Sequence, residues 1–437
     1  MTDLPPGAPT PWAAPPAGTV TVYRGATLFD GTGAPLRPNT TIVTDGARLH
    51  TVIGDGDPLP PHAADAPRVD LAGRFVVPGL VDTHQHLATP PDRPVAEAVL
   101  RRLVHSGVTA VRDMADDLRH IGDLARATLV GEIPGPDIRY AALMAGPSFF
   151  DDPRTHEVSR GAVPGAVPWM QAVTPDTDLP IAVALARGTH AAAIKVYADL
   201  DAATVAAVTA EAHRQGIAVW AHATVFPATP GEVVAAGVDS VSHVTLLAFE
   251  DPTEPLSSYK TKPRVDHDRF AAGDAPELAA LFAEMRRRGT VLDATASMWT
   301  SGELRGDTAE SAERAARNAE LAAVLTAQAH RAGVDVCTGT DHETAPDDPF
   351  PALYGELAFL ADRCGIPTAE VLRSATLVGA RAAGTETDMG SVEPGKLANF
   401  AVLDENPLHD IGNLRTITFT VRRGRRFDRA EFEKDTP

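Results

Sequence analysis

Two histidines separated by a single residue are the first sign of chemistry in this chain. They are His84 and His86, in Val77-Pro78-Gly79-Leu80-Val81-Asp82-Thr83-His84-Gln85-His86. The apolar run and Pro-Gly turn mark the start of a strand, on which residues i and i+2 project to one face. Two imidazoles on one face can share a metal ion. Further donor residues close later apolar runs. Ala193-Ile194-Lys195-Val196-Tyr197 places a lysine inside such a run. It is either a snorkelling strand-end lysine or an amine of lowered pKa that adds carbon dioxide. The resulting carbamate is anionic, and its two oxygens can bridge two cations. Val219-Trp220-Ala221-His222 and Ser240-Val241-Ser242-His243 each end in a histidine. Either one alone reads as a hydrogen-bonded core residue at least as readily as a ligand. Asp341, after Val334–Thr338, can bind a metal and accept a proton from bound water.

These six residues need elements that bring them to one place. Before Pro78 the chain reads as short strands: Thr19–Leu28, Thr40–Val43, Leu49–Ile53 and Arg68–Val77, separated by Asp-Gly and Ala-Gly turns. From about Pro78 the texture alternates between strand-sized apolar runs and Ala-rich helical stretches. The runs include Val108–Val111, Ile138–Ala142, Ala218–Ala221 and Val291–Ala294, and the helices Ala202–Arg214, Glu277–Arg288 and Ala309–Arg331. Alternation over about 300 residues predicts an α/β fold, a (β/α)8 TIM-like barrel. Near Thr385 short strands return, at Asn399–Leu403 and Thr416–Arg422. The expected organisation is a Pro-rich tail over 1–18 and a small β-sandwich domain built from both chain ends, 19–78 and 385–432, with the barrel over 79–384 between them. All six donor residues then fall at strand ends on one barrel face.

Composition limits the function classes. The chain has 437 residues, 44% hydrophobic and 22% charged, which is an ordinary globular mix. Lys+Arg is 39 against 58 for Asp+Glu, a net charge of −19, which argues against nucleic acid as a partner. Two cysteines, Cys337 and Cys364, provide no disulfide framework. No apolar run of about 18 residues reads as a membrane span. The N-terminus lacks a basic start and an apolar h-region, so a cytoplasmic protein is expected. Gly-X-Ser-X-Gly, Gly-X-Gly-X-X-Gly and Walker-type motifs are absent, which argues against that form of serine hydrolase, nucleotide cofactors and phosphoryl transfer.

The motifs VVPGLVDTHQHL, SGVTAVRDM at Ser106–Met114, IKVY, VWAHA, GVDSVSHV and GTD occur in this order. LRSATLVGARAAG and GSVEPGKLANFAVLDENPLHDI follow, between Leu372 and Ile411. In this the sequence resembles the amidohydrolase superfamily, and within it the imidazolonepropionase-like and prolidase-like metal-dependent hydrolases. The resemblance implies that His84, His86 and Asp341 bind the more buried of two divalent metals, zinc by preference. It implies that His222 and His243 bind the second and that a carbamylated Lys195 bridges the two. A hydroxide shared by the metals would attack an amide carbonyl, with Asp341 carrying the proton to the leaving amine. The expected substrate is a small molecule, a dipeptide or N-acyl amino acid. A cyclic amide or imidazolone-type ring, a lactone or a carbamate would suit the same site, and a non-catalytic scaffold is the reading from another class.

Three further residues are candidates for substrate contact. Tyr197 shares a strand face with Lys195, His156 lies in the loop after the third barrel strand, and His342 follows Asp341. Arg112 and Asp113 are expected to support the barrel structurally, and His105, His120, His213 and His330 to be surface or packing residues. The segment 248–274, rich in Pro, Asp and Lys, follows His243 and reads as a solvated loop or as a lid over the site. In the lid reading Lys260, Lys262, Arg264 and Arg269 offer positive charge to a substrate carboxylate. Barrel hydrolases often form homo-oligomers, but no interface is legible.

Overall fold

The computed structural model describes residues 10–89, 91–344 and 348–435. Strands β1 (Val20–Leu28), β2 (Arg37–Asp45), β3 (Arg48–Gly54), β4 (Arg68–Asp70) and β5 (Phe75–Pro78) come from the N-terminal part. Strands β6 (Leu80–Gln85), β7 (Val108–Asp113) and β8 (Asp137–Ala145) begin the barrel. The short pair β9 (Ala166–Val167) and β10 (Met170–Ala172) follows. Then come β11 (Ala193–Val196), β12 (Ala218–His222), β13 (Ser240–Ser242), β14 (Val291–Asp293) and β15 (Val336–Cys337). Finally β16 (Phe400–Leu403), β17 (Ile417–Arg422) and β18 (Arg425–Asp428) return to the first sheet.

The chain folds as a (β/α)8 barrel with a mixed sheet built from both chain ends. Barrel strands β6, β7, β8, β11, β12, β13, β14 and β15 pair in parallel in that order. The last strand meets the first. Thr83 N donates to Thr338 O at 2.8 Å, Asp341 N to His84 O at 3.0 Å, and Thr338 Oγ1 to Val81 O at 3.1 Å. Every residue of β7 is buried, as expected of a parallel strand covered on both faces.

Between strands the helices start where the sequence supplies caps. Asp178 accepts from Ile181 N and Asp201 from Thr204 N, each satisfying an otherwise orphan donor of the first turn. Thr229 and Glu232 form a reciprocal capping box. Ala202–Arg214, Glu277–Arg288 and Ala309–Arg331 are helical over those ranges. Predicted strand Arg68–Val77 is split by a turn at Ala72-Gly73 into β4 and β5, both alongside β1. The C-terminal hairpin partner β18, rich in arginine, gives no alternating apolar signal and is found only in the structure.

The end sheet runs β18-β17-β16-β5-β1-β2-β3, so β5 and β16 join the two ends, with Phe400 opposite Pro78. Tyr23, Leu28, Ile42, Phe400 and Phe419 form its own core. The chain passes from β5 into β6 through Gly79, where a Cβ would lie 2.1 Å from Thr109 Oγ1. Only glycine fits that crossing. Buried Asp137 on β8 pairs with Arg422 and Arg423, fastening the end sheet to the barrel. No helix among the described residues is long and apolar enough to cross a membrane.

Candidate metal centre

The carboxyl ends of the barrel strands carry an unusual backbone. Ala115, Asp199, Phe226, His243, Thr295 and Asp341 all have positive φ, and they follow β7, β11, β12, β13, β14 and β15 respectively. Non-glycine residues adopt this conformation at a cost, and such strain concentrates at functional sites. At His243 (φ 71°), Thr295 (46°) and Asp341 (53°) the side chains gather at one place.

That place is built around Asp341. His84 Nε2 and His86 Nε2 both lie 3.4 Å from Asp341 Oδ1, and His243 Nδ1 lies 3.7 Å from Oδ2. One donor atom each from His84, His243 and Asp341 lies within 4.8 Å of the others. The other nitrogens of the first two rings are tied back. His84 Nδ1 pairs with Asp293 Oδ2 at 2.7 Å and His86 Nδ1 with Asp116 Oδ1 at 2.8 Å. A carboxylate on Nδ1 fixes the tautomer that leaves Nε2 a lone pair, which is how metal-binding histidines are oriented. His243 Nδ1 also meets Thr295 Oγ1 at 3.0 Å.

His222 and Lys195 complete the group. The His222 ring centroid lies 4.7 Å from that of His243 and 4.0 Å from that of Tyr197. Its Nδ1 is buried and has no hydrogen-bond partner. Burial first, then the charges of Lys195, His243 and Lys262, hold its pKa well below the usual imidazole value. A neutral imidazole with a free buried nitrogen suits a cation. Lys195 is fully buried, and its Nζ reaches Ser242 Oγ at 3.4 Å. Among the described residues no carboxylate lies within ion-pairing distance of it. Burial pulls its pKa down to about 7; Arg112 adds to this, against the opposing pull of Asp293 and Asp341. The Asp341 carboxyl is half-buried, and against the opposing effect of desolvation His84, His86 and His243 hold it well below the ordinary carboxylate range.

The structure therefore brings His84, His86, Lys195, His222, His243 and Asp341 to one end of the barrel. Tyr197 joins them, half-buried and 4.5 Å from the Phe149 ring. His342 is half-buried, with Nε2 3.4 Å from Ser297 Oγ. His156 is exposed on the short helix Pro153–Val158, and no hydrogen bond ties it to the cluster. Arg112 is fully buried in the barrel. It bonds Thr83 O, Ser240 Oγ and Ala382 O, lies 3.2 Å from Asp293 Oδ2, and stacks 4.6 Å from the Trp220 ring.

Several positioning residues were not singled out from the sequence. Asp293 gathers Thr83 Oγ1, Ser242 Oγ, Arg112 and His84 Nδ1. Asp116 takes Ala88 N and Thr89 Oγ1 besides His86. Asp82 binds the backbone N–H of both His84 and Thr340, so one carboxyl aligns the segments that carry His84 and Asp341. Buried Glu356, on the helix Leu353–Asp362, accepts from Ala296 N and Ser297 N and so fixes the turn that follows Thr295. Burial raises its pKa to about 7. The available signal was an acidic residue just past an apolar run, in Leu292-Asp293 and Arg112-Asp113-Met114-Ala115-Asp116. At Gly339 an added Cβ would lie 2.1 Å from Asp293 Oδ1 and 2.6 Å from His84 Cβ, so the strand preceding Asp341 must be bare there.

Comparison with known proteins agrees with this fold. An Xaa-Pro dipeptidase with methionine bound in its active site superposes with a TM-score of 0.72 at 22% identity, covering 94% of this chain and 100% of that one. The ochratoxinase of A. niger gives 0.73 at 21% identity, covering 94% and 96%. Molinate hydrolase gives 0.72 at 18% identity, covering 95% and 96%. In sequence, an imidazolonepropionase of Cereibacter sphaeroides is 46% identical over 63 residues, 14% of this chain and 15% of that protein. A 5-methylthioadenosine/S-adenosylhomocysteine deaminase of Teredinibacter turnerae is 37% identical over 90 residues, 19% of this chain and 20% of that protein. The chain thus matches only a fifth or less of the length of these curated relatives, whereas the amidohydrolase family model matches residues 75–427. With that match over most of its length, the chain belongs to the amidohydrolase family.

Proposed function

We propose that this protein is a metal-dependent hydrolase that cleaves an amide C–N bond of a dipeptide or N-acyl amino acid. The observation that carries this reading is the pair of imidazoles, His84 and His86, held on their Nδ1 sides by Asp293 and Asp116 while both Nε2 atoms face Asp341. Three imidazoles converging on one carboxylate make a donor set that a cation would satisfy, and N/O donors of this kind suit zinc. His84, His86 and Asp341 would hold one ion, and His222 and His243 a second. Such ions supply Lewis acidity, polarising a scissile carbonyl and lowering the pKa of water at neutral pH.

The chain's own residues do the rest. Neutral Lys195 Nζ could attack carbon dioxide, losing a proton, to give an anionic carbamate that would supply two oxygen donors to the metal ions. A pKa near 7 supplies the required unprotonated amine. Asp341 is ionised across the neutral range. It can therefore take the proton of an attacking water on a carboxylate oxygen and pass it to the departing nitrogen. Tyr197, whose ring lies 4.0 Å from that of His222, would be the residue to donate a hydroxyl to substrate. The small-molecule, dipeptide or acyl-amino-acid class draws support from the superposition with the Xaa-Pro dipeptidase.

The test is a hydrolysis screen of the zinc-loaded protein against dipeptides, N-acyl amino acids, cyclic amides and lactones, with a chelated sample alongside. Cleavage of dipeptides or N-acyl amino acids, lost on chelation and restored by zinc, is expected. Cleavage that survives complete metal removal would refute the metal-dependent reading. Chelator-sensitive cleavage confined to rings or esters would keep the site and replace the substrate class.

A further inference from the structure

The segment after His243 crosses the barrel mouth. It is latched by Asp199, the residue of positive φ that follows β11. Asp199 Oδ1 accepts from Tyr259 N at 2.8 Å and Ser258 Oγ at 3.1 Å, and its Oδ2 accepts from Ser148 Oγ at 2.7 Å. Lys260 Nζ donates to Ser148 O at 3.1 Å. Three loops, after β8, β11 and β13, are thereby tied together. The latch lays the Tyr259 ring against His222, stacked at 5.7 Å, with Tyr197 at 5.7 Å and Phe149 at 6.3 Å. An aromatic wall therefore stands directly on the proposed metal ligands.

One cation belongs to this wall. Lys262 Nζ lies 3.6 Å from the Tyr259 ring centroid and 5.8 Å from that of Phe226. Three other cations of the entrance are committed elsewhere, and a fourth, Arg264, is exposed and makes no cation–π contact with these rings among the described residues. Arg269 pairs with Asp251 and Glu277, Arg154 with Asp152, and Lys260 with the Ser148 carbonyl. Among the described residues Lys262 has no carboxylate within ion-pairing distance. Its exposed ammonium keeps donors free, because a ring face engages the charge and accepts no full hydrogen bond.

We infer that Lys262 is a specificity-determining residue that binds the anionic group of the substrate, while Tyr259 stacks on a planar apolar portion next to the scissile bond. This deepens the hydrolase reading and rests on it: the substrate class becomes an N-acyl or N-aroyl amino acid carrying a free carboxylate. Lys262 lies no farther from His222 than the two ring distances placed end to end, a span that one amino-acid unit of about 3.5 Å bridges together with a metal contact at its carbonyl and a hydrogen bond at its carboxylate.

The test uses two uncleavable probes, N-benzenesulfonylglycine and its neutral counterpart N-(2-hydroxyethyl)benzenesulfonamide. Both are titrated calorimetrically into zinc-loaded wild type, Lys262→Ala and Lys262→Arg. Losing one charge-assisted contact should weaken the anionic probe about tenfold in K262A and leave the neutral probe within about twofold, with K262R retaining most of the affinity. In turnover assays K262A should raise KM for carboxylate substrates. Equal losses for both probes would make Lys262 a loop-packing residue, and no loss for either would remove it from the substrate site; either result overturns the inference. Failure of the wild type to bind either probe also overturns it for this ligand class. The hydrolase reading is decided separately, by chelator-sensitive cleavage in the screen.

Discussion

Asp293→Asn removes one negative charge from the centre of the barrel while keeping the side chain's shape. Asp293 is fully buried. Its Oδ2 meets His84 Nδ1 at 2.7 Å, Ser242 Oγ at 2.9 Å and an Arg112 nitrogen at 3.2 Å, and its Oδ1 accepts from Thr83 Oγ1 at 3.0 Å. His84 Nδ1 and Arg112 can only donate here, so the amide NH2 of Asn is tolerated only where the Thr83 or Ser242 hydroxyl turns to accept it. The fully buried Arg112 then loses its only carboxylate contact among the described residues. Charge-assisted bonds of this kind are each worth about 1.5–3 kcal/mol, and breaking a buried pair by removing one partner costs about 3–5 kcal/mol. Because Asn keeps one acceptor oxygen, the lower end, about 3 kcal/mol of lost stability, is expected. His84 also loses the carboxylate that sets its tautomer, so zinc affinity should fall about 10- to 100-fold. Buried though it is, His84, Arg112 and Lys195 hold the Asp293 carboxyl well below the ordinary range. Its stabilising contribution is therefore complete above the unfolded carboxylate pKa and declines only as pH falls below it, so the destabilisation should be constant from pH 6 to 8. Urea unfolding and zinc competition against a chromophoric chelator measure the two effects. A variant that loses stability but binds zinc like wild type would refute the link from Asp293 through His84 to the metal.

Other perturbations test separate parts of the site. Asp341→Asn should lower kcat at least about a thousandfold, with far-UV circular dichroism unchanged; wild-type-like turnover would remove its proton-carrying role. Lys195→Ala should lower bound zinc from two per chain toward one, measured by elemental analysis, and short carboxylic acids should restore part of the activity; two retained zincs would mean that Lys195 is not the bridge. Glu356→Gln tests stability against pH. Burial raises the Glu356 pKa from 4.5 to about 7, so its contribution is complete below about 4.5 and is lost as pH rises through 7. Wild type should therefore lose about 3 kcal/mol relative to the variant between those limits, on top of a pH-independent offset from the amide; parallel pH–stability curves would contradict the burial argument.

The barrel was legible because its strands are short apolar runs with glycine just before them and helices of clear period between. Ala193–Val196 and Ala202–Arg214 are found with the predicted bounds. The donor residues were legible for the same reason, since each ends such a run. What the sequence hid is mostly relational. Asp293 and His84 are 209 residues apart, and nothing local to Leu292-Asp293 marks the aspartate as the partner of a histidine. Asp116 lies 30 residues after His86 and is one of several acidic residues in its stretch. Thr295 depends on a left-handed backbone at a residue type that rarely shows it. The family resemblance points to a histidine in the loop after the third barrel strand, but at His156 the chain turns into a capped helix that carries it to the surface. Lys262 stood equal among four cations until the folded loop showed Arg269 and Lys260 already engaged and Lys262, unlike Arg264, against the Tyr259 ring.

The seam where β15 meets β6 has a consequence for how the protein is made. His84 leaves the ribosome early, and Asp341 only after every other barrel strand has been synthesised. The two meet through the Asp341 N–H to His84 carbonyl bond that joins the last strand to the first. A nascent chain can expose its histidines long before the carboxylate that completes the set exists. Long-range closure of this kind comes late in folding, because the entropy of the enclosed chain must be overcome first. Tight metal capture should thus mark the finished molecule, and truncated or stalled chains should hold metal weakly.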